Sequence, residues 1–435
     1  MAPTPVVPRH LLLPFALITS LFALWGFANA VTDPMVQAFR KVLELTNAEA
    51  AWVQMAFYGG YFSMALPAAL FVRRYTYKSG VLVGLGLYAT GALLFYPAAV
   101  TEQFWFFCLG LYVLTFGLAF LETTANPYIL AMGDPRTATR RLNLAQSFNP
   151  VGLVLGLLAA QQFVFRRLQS DDIDNFVALD EAQRALIRTS DLLVIRDPYV
   201  VLGLVILGVF VLILLSKMPQ ARGEGALPPV GATFARLRRN RRYVLGVLAQ
   251  ALYVGAQIMC WTFIYQYAEH LGVDNTTAAN YQFVAFLLFL GGRVIGTYLL
   301  RFLRPGRLLT AFALLAAACC AGTVWAEGLG GLYCLVGISF CMSLMFPTIY
   351  GLALTGLNEE ETKVAAAGLV MSIVGGALLP KLQGSIIDLG GSGVSDLTVL
   401  GVPEVNVSFL LPLLCFGYIA WYGYGQRQQG EGPLV

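Results

Sequence analysis

Two carboxylates, Asp33 and Glu122, interrupt long apolar stretches of a 435-residue chain in which only 12% of residues are charged. An ionised carboxylate in hydrocarbon costs about 3 kcal/mol or more, so each must face protein, water or a partner. Burial disfavours the charged form of a carboxyl, which lets such a group gain and lose a proton near neutral pH. Polar stripes at helical spacing accompany both. Trp25, Asn29, Asp33 and Gln37 recur every four residues and share one helix face, as do Glu122 and Asn126, and Gln54 and Tyr58. Asn143, Gln146 and Asn149 are spaced by three, and Tyr253, Gln257, Trp261 and Tyr265 again by four. Amides supply donors and acceptors together, while indole and phenol rings offer flat apolar faces. A sugar, with hydroxyls around its edge and C–H groups on its faces, fits that combination. Any one stripe could serve helix–helix hydrogen bonding instead; five together favour a polar cavity.

Two cations also lie in apolar runs. Arg293, within Gly292-Arg-Val-Ile-Gly296, either snorkels to an interface or helps lock a gate; Lys381 reads as a snorkelling side chain. No metal-ligating cluster is expected. The seven cysteines are scattered over apolar segments without a CxxC pair, and only two histidines exist. No P-loop, HExxH, GxSxG or Cys–His arrangement is present, and no cofactor is implied.

These residues need long membrane helices to position them. The chain is 58% hydrophobic, and the excess comes in blocks of about 20–28 residues, each long enough to cross about 30 Å of hydrocarbon as a helix. The blocks fall at 11–39, 48–72, 79–100, 103–132, 139–166 and 198–217, then 241–269, 275–302, 306–326, 329–356, 363–390 and 405–425. Ala28-Asn-Ala30 resembles a signal-peptidase site, but the run before it is too long for a signal peptide, so it reads as a retained first span. Residues 167–197, rich in charge, read as an external loop with short helical character. Residues 218–240, with Pro228, Pro229 and an arginine run, read as a linker.

Lys and Arg mark one side. Arg73, Arg74, Lys78, Arg136, Arg140, Arg141, Arg236, Arg238, Arg239, Arg241, Arg242, Arg301, Arg304 and Arg307 fall together, which places both termini in the cytoplasm. The run at 236–242 reads as a topology signal or a lipid-headgroup contact rather than a nucleic-acid patch. The sequence also repeats. Gly117-Leu-Ala-Phe120 before Pro127 matches Gly337-Ile-Ser-Phe340 before Pro347, and Ala23-Leu-Trp-Gly26 echoes Ala251-Leu-Tyr-Val-Gly255. The expected fold is therefore an all-α polytopic membrane protein of twelve transmembrane helices in two pseudo-symmetric six-helix halves, 1–217 and 241–435 joined by a cytoplasmic linker 218–240. That is the plan of the major facilitator superfamily.

The segments Leu121-Glu-Thr-Thr-Ala-Asn-Pro127, Arg141-Leu-Asn-Leu-Ala-Gln-Ser-Phe-Asn149, Tyr253-Val-Gly-Ala-Gln257 with Trp261, and Ala279-Asn280-Tyr281 resemble signatures of the fucose–galactose–proton symporter family. The resemblance runs in order along nearly the whole chain. It implies proton symport of a hexose or deoxyhexose, with Asp33 and Glu122 as the two carboxylates of coupling and recognition, and with Gln146 and Asn149 at positions that face the sugar. Two positions depart from the family pattern: Ala30 stands where a second asparagine is expected and Phe346 where a tyrosine is, each removing a hydrogen-bonding group.

The expected protein is thus a secondary active transporter of the inner membrane, working as a monomer on a small sugar and a proton, in contact with lipid and not with nucleic acid. A sodium-coupled sugar carrier is the nearest alternative, since carboxylates and carbonyls suit hard cations. A proton–drug antiporter fits less well, because its cavity would be more apolar. A membrane enzyme acting on lipid-linked sugars would need a soluble loop or a catalytic constellation, and neither is found.

Overall fold

The computed structural model describes residues 5–43, 47–159, 162–163, 167–168, 179–218, 230–390, 397–399 and 401–427. Within it, the side chains of residues 32–41, 47–51, 54 and 275–276 lie outside the description. In chain order the helices are α1 (Leu12–Val42), α2 (Asn47–Arg74), α3 (Tyr77–Leu93), α4 (Phe95–Thr101), α5 (Phe104–Ala131), α6 (Ala138–Gln146), α7 (Phe148–Ala159), α8 (Glu181–Leu215), α9 (Val230–Arg239) and α10 (Arg241–Thr262). They continue as α11 (Ile264–His270), α12 (Asn275–Leu299), α13 (Pro305–Trp325), α14 (Leu329–Met342), α15 (Met345–Leu354), α16 (Glu359–Met371), α17 (Gly375–Ile387), α18 (Glu404–Ser408) and α19 (Leu410–Gly425). A short antiparallel pair, β1 (Thr398–Val399) and β2 (Val402–Pro403), precedes α18. Among the described residues, twelve helical stretches are long and apolar enough to cross a membrane. Each expected apolar block overlaps one of them.

The sixth span corrects the sequence reading. The charged stretch before residue 198 is not a loop throughout: α8 begins at Glu181 and runs unbroken for 35 residues. The Asp180 side chain accepts from the Gln183 amide and Glu181 lies in the first turn, both of which favour a helix start there. The charged residues lie on the first turns of the helix, ahead of its apolar stretch.

Several spans are broken, and proline accounts for two of the breaks. Pro150 has no N–H for the carbonyl four residues earlier, that of Gln146, and Gln146 is the last residue of α6. Pro347 stands in the same relation to Ser343, between α14 and α15. By contrast, α2, α5 and α17 run through Pro67, Pro127 and Pro380.

The chain divides into two compact units, one of residues 12–126 and 148–222, the other of residues 1–11, 127–147 and 223–435. The stretch 219–229, the middle of the expected linker, lies outside the described residues, and α9 occupies its later part. In the first unit, α1 meets α7 through glycine: a Cβ on Gly152 would stand 1.9 Å from the Ala23 carbonyl oxygen, and one on Gly26 2.0 Å from that of Asn149. Phe95 of α4 stacks on Tyr199 of α8 with ring centroids 3.8 Å apart. In the second unit, α10 meets α17 in the same manner, with a Cβ on Gly375 placed 2.2 Å from the Ala251 carbonyl oxygen. First and fifth spans thus meet at glycine in both repeats.

Also in the second unit, α6 packs on α12 and α15. Arg141, fully buried on α6, ties the end of α5 in place. Its Nε donates to the Ile129 carbonyl at 2.7 Å, Nη2 to that of Leu130 at 2.5 Å, and Nη1 to Val6 O at 3.1 Å and Thr137 Oγ1 at 3.0 Å. The Ile129 and Leu130 carbonyls lie in the last turn of α5, where a cation is the favoured partner. Arg141 is therefore a structural cap as well as one of the clustered basic residues.

Candidate functional site

In the first unit the polar and aromatic residues of α1, α2 and α5 gather. Trp25 Nε1 donates to the Tyr61 hydroxyl at 2.7 Å, and the indole stacks on Phe22 at 5.6 Å. Phe57 meets Tyr58 and Tyr61 edge-on. Glu122 is only 7% exposed, its Oε2 has no hydrogen-bond partner among the described residues, and it lies near Tyr61. Asn126, one turn on, is fully buried. Asn29 is half-buried with its Oδ1 unpartnered. Asn149 turns its Nδ2 to the Phe22 carbonyl at 3.3 Å, bringing α7 to the same part of α1. The α1 backbone carries Asp33 in helix, but its side chain, like that of Gln54, lies outside the described residues.

A second group forms in the other unit, where helix faces bring together residues far apart in sequence. Arg293 of α12 is 2% exposed; its Nη1 donates to the Gln146 carbonyl at 3.3 Å and to Gln146 Oε1 at 3.4 Å. The carbonyl it reaches is the one Pro150 deprives of a helical donor. The guanidinium also lies 5.1 Å from the centre of the Phe289 ring and pairs with no carboxylate among the described residues. Trp261 Nε1 donates to Ser339 Oγ at 3.1 Å, with Phe286 and Phe289 against the indole. Gln257 is half-buried beside it on the helix, and Asn280 of α12 is exposed.

Two expected ligands have structural partners. Tyr253 is fully buried and donates to the Met342 carbonyl at 3.1 Å. Asn143 donates from Nδ2 to Thr139 O at 3.0 Å and to Thr348 Oγ1 at 3.2 Å, while its Oδ1 has no partner. Ser147 follows with Thr297 at 3.4 Å. Phe346, where the family pattern has tyrosine, packs between Tyr253 and Tyr350. Tyr61, Ser339, Phe289 and Gln282, which bonds Tyr265 at 2.7 Å, complete these groups without having been singled out from sequence. Tyr61 alone carried a signal, lying three residues after Tyr58.

The first unit thus offers a buried carboxylate near aromatic rings and the second a buried guanidinium, each with amides on its own helices. All seven cysteines are free thiols, and no group of three His, Cys, Asp or Glu side chains suited to a metal occurs among the described residues.

Residues 15–380 match the Major Facilitator Superfamily. The chain is 55% identical over 425 residues to an L-fucose-proton symporter of Haemophilus influenzae, covering 96% of this chain and 97% of that one. It is 35% identical to an L-fucose-proton symporter of Escherichia coli, covering 94% and 92%. Among solved structures, the transporter FucP in the outward conformation superposes with a TM-score of 0.87 at 34% identity, over 96% of this chain and 99% of that one. The chain belongs to the Major Facilitator Superfamily, in the family of the L-fucose–proton symporters.

Proposed function

We propose that this transporter imports an L-fucose-like hexose together with a proton by alternating access. The observation that carries the reading is Glu122: a carboxyl almost fully buried, one oxygen unbonded among the described residues, near the Tyr61 that Trp25 holds and one turn from Asn126. A carboxyl so placed is costly to keep ionised, and a proton removes that cost when the site is closed to water. The relatives' names, L-fucose-proton symporter, supply the substrate class. Glu122 is taken to accept the proton from outside and to help hold the sugar; Asp33 passes or senses it. Trp25, Asn29, Gln146, Asn149, Gln257 and Trp261 are the proposed sugar contacts. Tyr58, Asn126, Gln54 and Asn280 line the path, and Tyr253 and Asn143 hold the scaffold by the bonds described above. Arg293 closes one side by binding the Gln146 carbonyl.

The halves 1–217 and 241–435 are the bodies that rock about the sugar, joined by 218–240. The basic ends of the spans set both termini in the cytoplasm of an inner membrane, and one copy of the chain surrounded by lipid suffices for transport.

The test is uptake into proteoliposomes under an imposed pH gradient, with L-fucose, D-galactose and D-glucose, each with and without sodium. L-Fucose should accumulate only with the gradient acid outside. Glu122→Gln should lose accumulation by at least about tenfold, since it cannot cycle a proton, yet still exchange sugar at equal concentrations. Accumulation driven by sodium alone would move the coupling to that cation. No movement of any sugar would remove the substrate assignment.

A further inference from the structure

The five arginines between residues 236 and 242 do not share one task. Arg236 Nη1 lies 3.3 Å from Glu361 Oε1 at the start of α16. Arg242 Nη1 donates to the Thr355 carbonyl at 2.8 Å. Glu359 and Glu360, the other acids of that turn, are engaged by Lys363 at 3.0 and 2.8 Å. Arg238, Arg239 and Arg241 are exposed and pair with no described acid.

The helix bearing them has a fixed place. α9 has ten residues, about 15 Å of helix and too short to cross the hydrocarbon. Only Asn240 separates it from α10, whose N-terminus it caps through Tyr243 N. α9 must therefore lie where that span meets water.

Its residues divide between a buried row and an exposed one. Thr233 and Leu237, one turn apart, are buried against protein. Val230 and Phe234, also one turn apart, are 37% and 42% exposed. Arg238 is the next position on that row, so an exposed apolar strip runs directly into guanidiniums that pair with no described acid. A short interfacial helix with this division binds a surface by its apolar strip and its positive charges together.

We propose that α9 and its junction with α10 form a docking surface for an anionic phospholipid. The headgroup phosphate sits among Arg238, Arg239 and Arg241, where charge-assisted hydrogen bonds from guanidinium to phosphate oxygen are strong. The first acyl methylenes lie along Val230 and Phe234. A topology signal needs only positive charge near a span and gives no reason for the exposed apolar strip, and a nucleic acid would gain nothing from that strip. Charge complementarity with the apolar neighbour favours a phospholipid over a free anion.

The experiment measures retention of radiolabelled phosphatidylglycerol and phosphatidylcholine by the detergent-purified full chain. Phosphatidylglycerol should be retained in preference, and the preference should fall as salt rises from about 0.15 M to 1 M, where screening is several-fold stronger. Each of Arg238→Gln, Arg239→Gln and Arg241→Gln should weaken it by about fivefold with phosphatidylcholine unchanged. Phe234→Ser should weaken retention of both lipids. Equal retention of the two lipids by the unaltered chain, or a preference indifferent to salt, would overturn the proposal even if an arginine variant failed to insert. Displacement of the lipid by millimolar inorganic phosphate would turn the surface into a free-anion site and overturn it equally.

Discussion

Glu122 and Arg293 are opposite charges treated alike by the fold: each is buried, and neither has an ion-pair partner in its own compact unit among the described residues. Neither gains from an ion pair there, and a buried charge is unfavourable unless something else compensates it. For Arg293 the compensation is the Gln146 carbonyl and the Phe289 face. Replacing it with glutamine removes a charged donor whose hydrogen bond is worth about 1.5–3 kcal/mol. The maximum uptake rate of Arg293→Gln should then fall about tenfold or more, with a smaller change in half-saturating sugar. Uptake kinetics in cells or vesicles measure both, and an unchanged rate would exclude a gating role. Glu122 and Asn126 could be put on one helix face from sequence because a spacing of three or four residues aligns side chains, while the Asp33 side chain lies outside the described residues. The Arg293–Gln146 bond was not legible, since no spacing rule reaches across 147 residues to another helix.

At the scale of elements, the helices divide into those placed by hydropathy and those shaped by particular residues. Apolar block length was enough to locate all twelve spans, because lipid leaves the backbone few alternatives. It was not enough to place the start of α8, which rests on an N-cap and a charged first turn rather than on apolarity. Glycines set how near two helices come. Gly152 lies so close to the Ala23 carbonyl that a side chain has nowhere to go. Gly152→Val should therefore force α1 and α7 apart, with overpacking of this kind costing about 1–3 kcal/mol or more. Thermal unfolding of the purified protein should shift down by several degrees, and Asn149, held to Phe22 across the same contact, should lose its position. A variant of unchanged melting temperature would mean that the crossing is looser than the structure has it.

For the whole molecule, the segment 127–147 belongs by sequence to the first repeat and by compactness to the unit of the second. Its polar seam with α12 and α15 runs through Ser147–Thr297, Asn143–Thr348 and Gln146–Arg293. If the sequence halves rock during transport, this seam has to part. Ser147→Cys with Thr297→Cys places two thiols where the hydroxyls are 3.4 Å apart. Oxidation of that pair should stop uptake by more than about tenfold, as a bond of covalent strength replaces one worth about 1 kcal/mol, and reduction should restore it. Full uptake while cross-linked would show that the seam stays shut throughout the cycle. The same seam sets a clock on the making of the protein. Asn143 waits for Thr348, 205 residues further along, and at about 5–20 residues per second that is a delay of about 10–40 s. Until the tenth span emerges from the ribosome, a helix carrying two buried amides and the Arg141 guanidinium stands without the surface it is shaped for, so the newborn chain passes through a stage in which the insertion machinery has to shelter it.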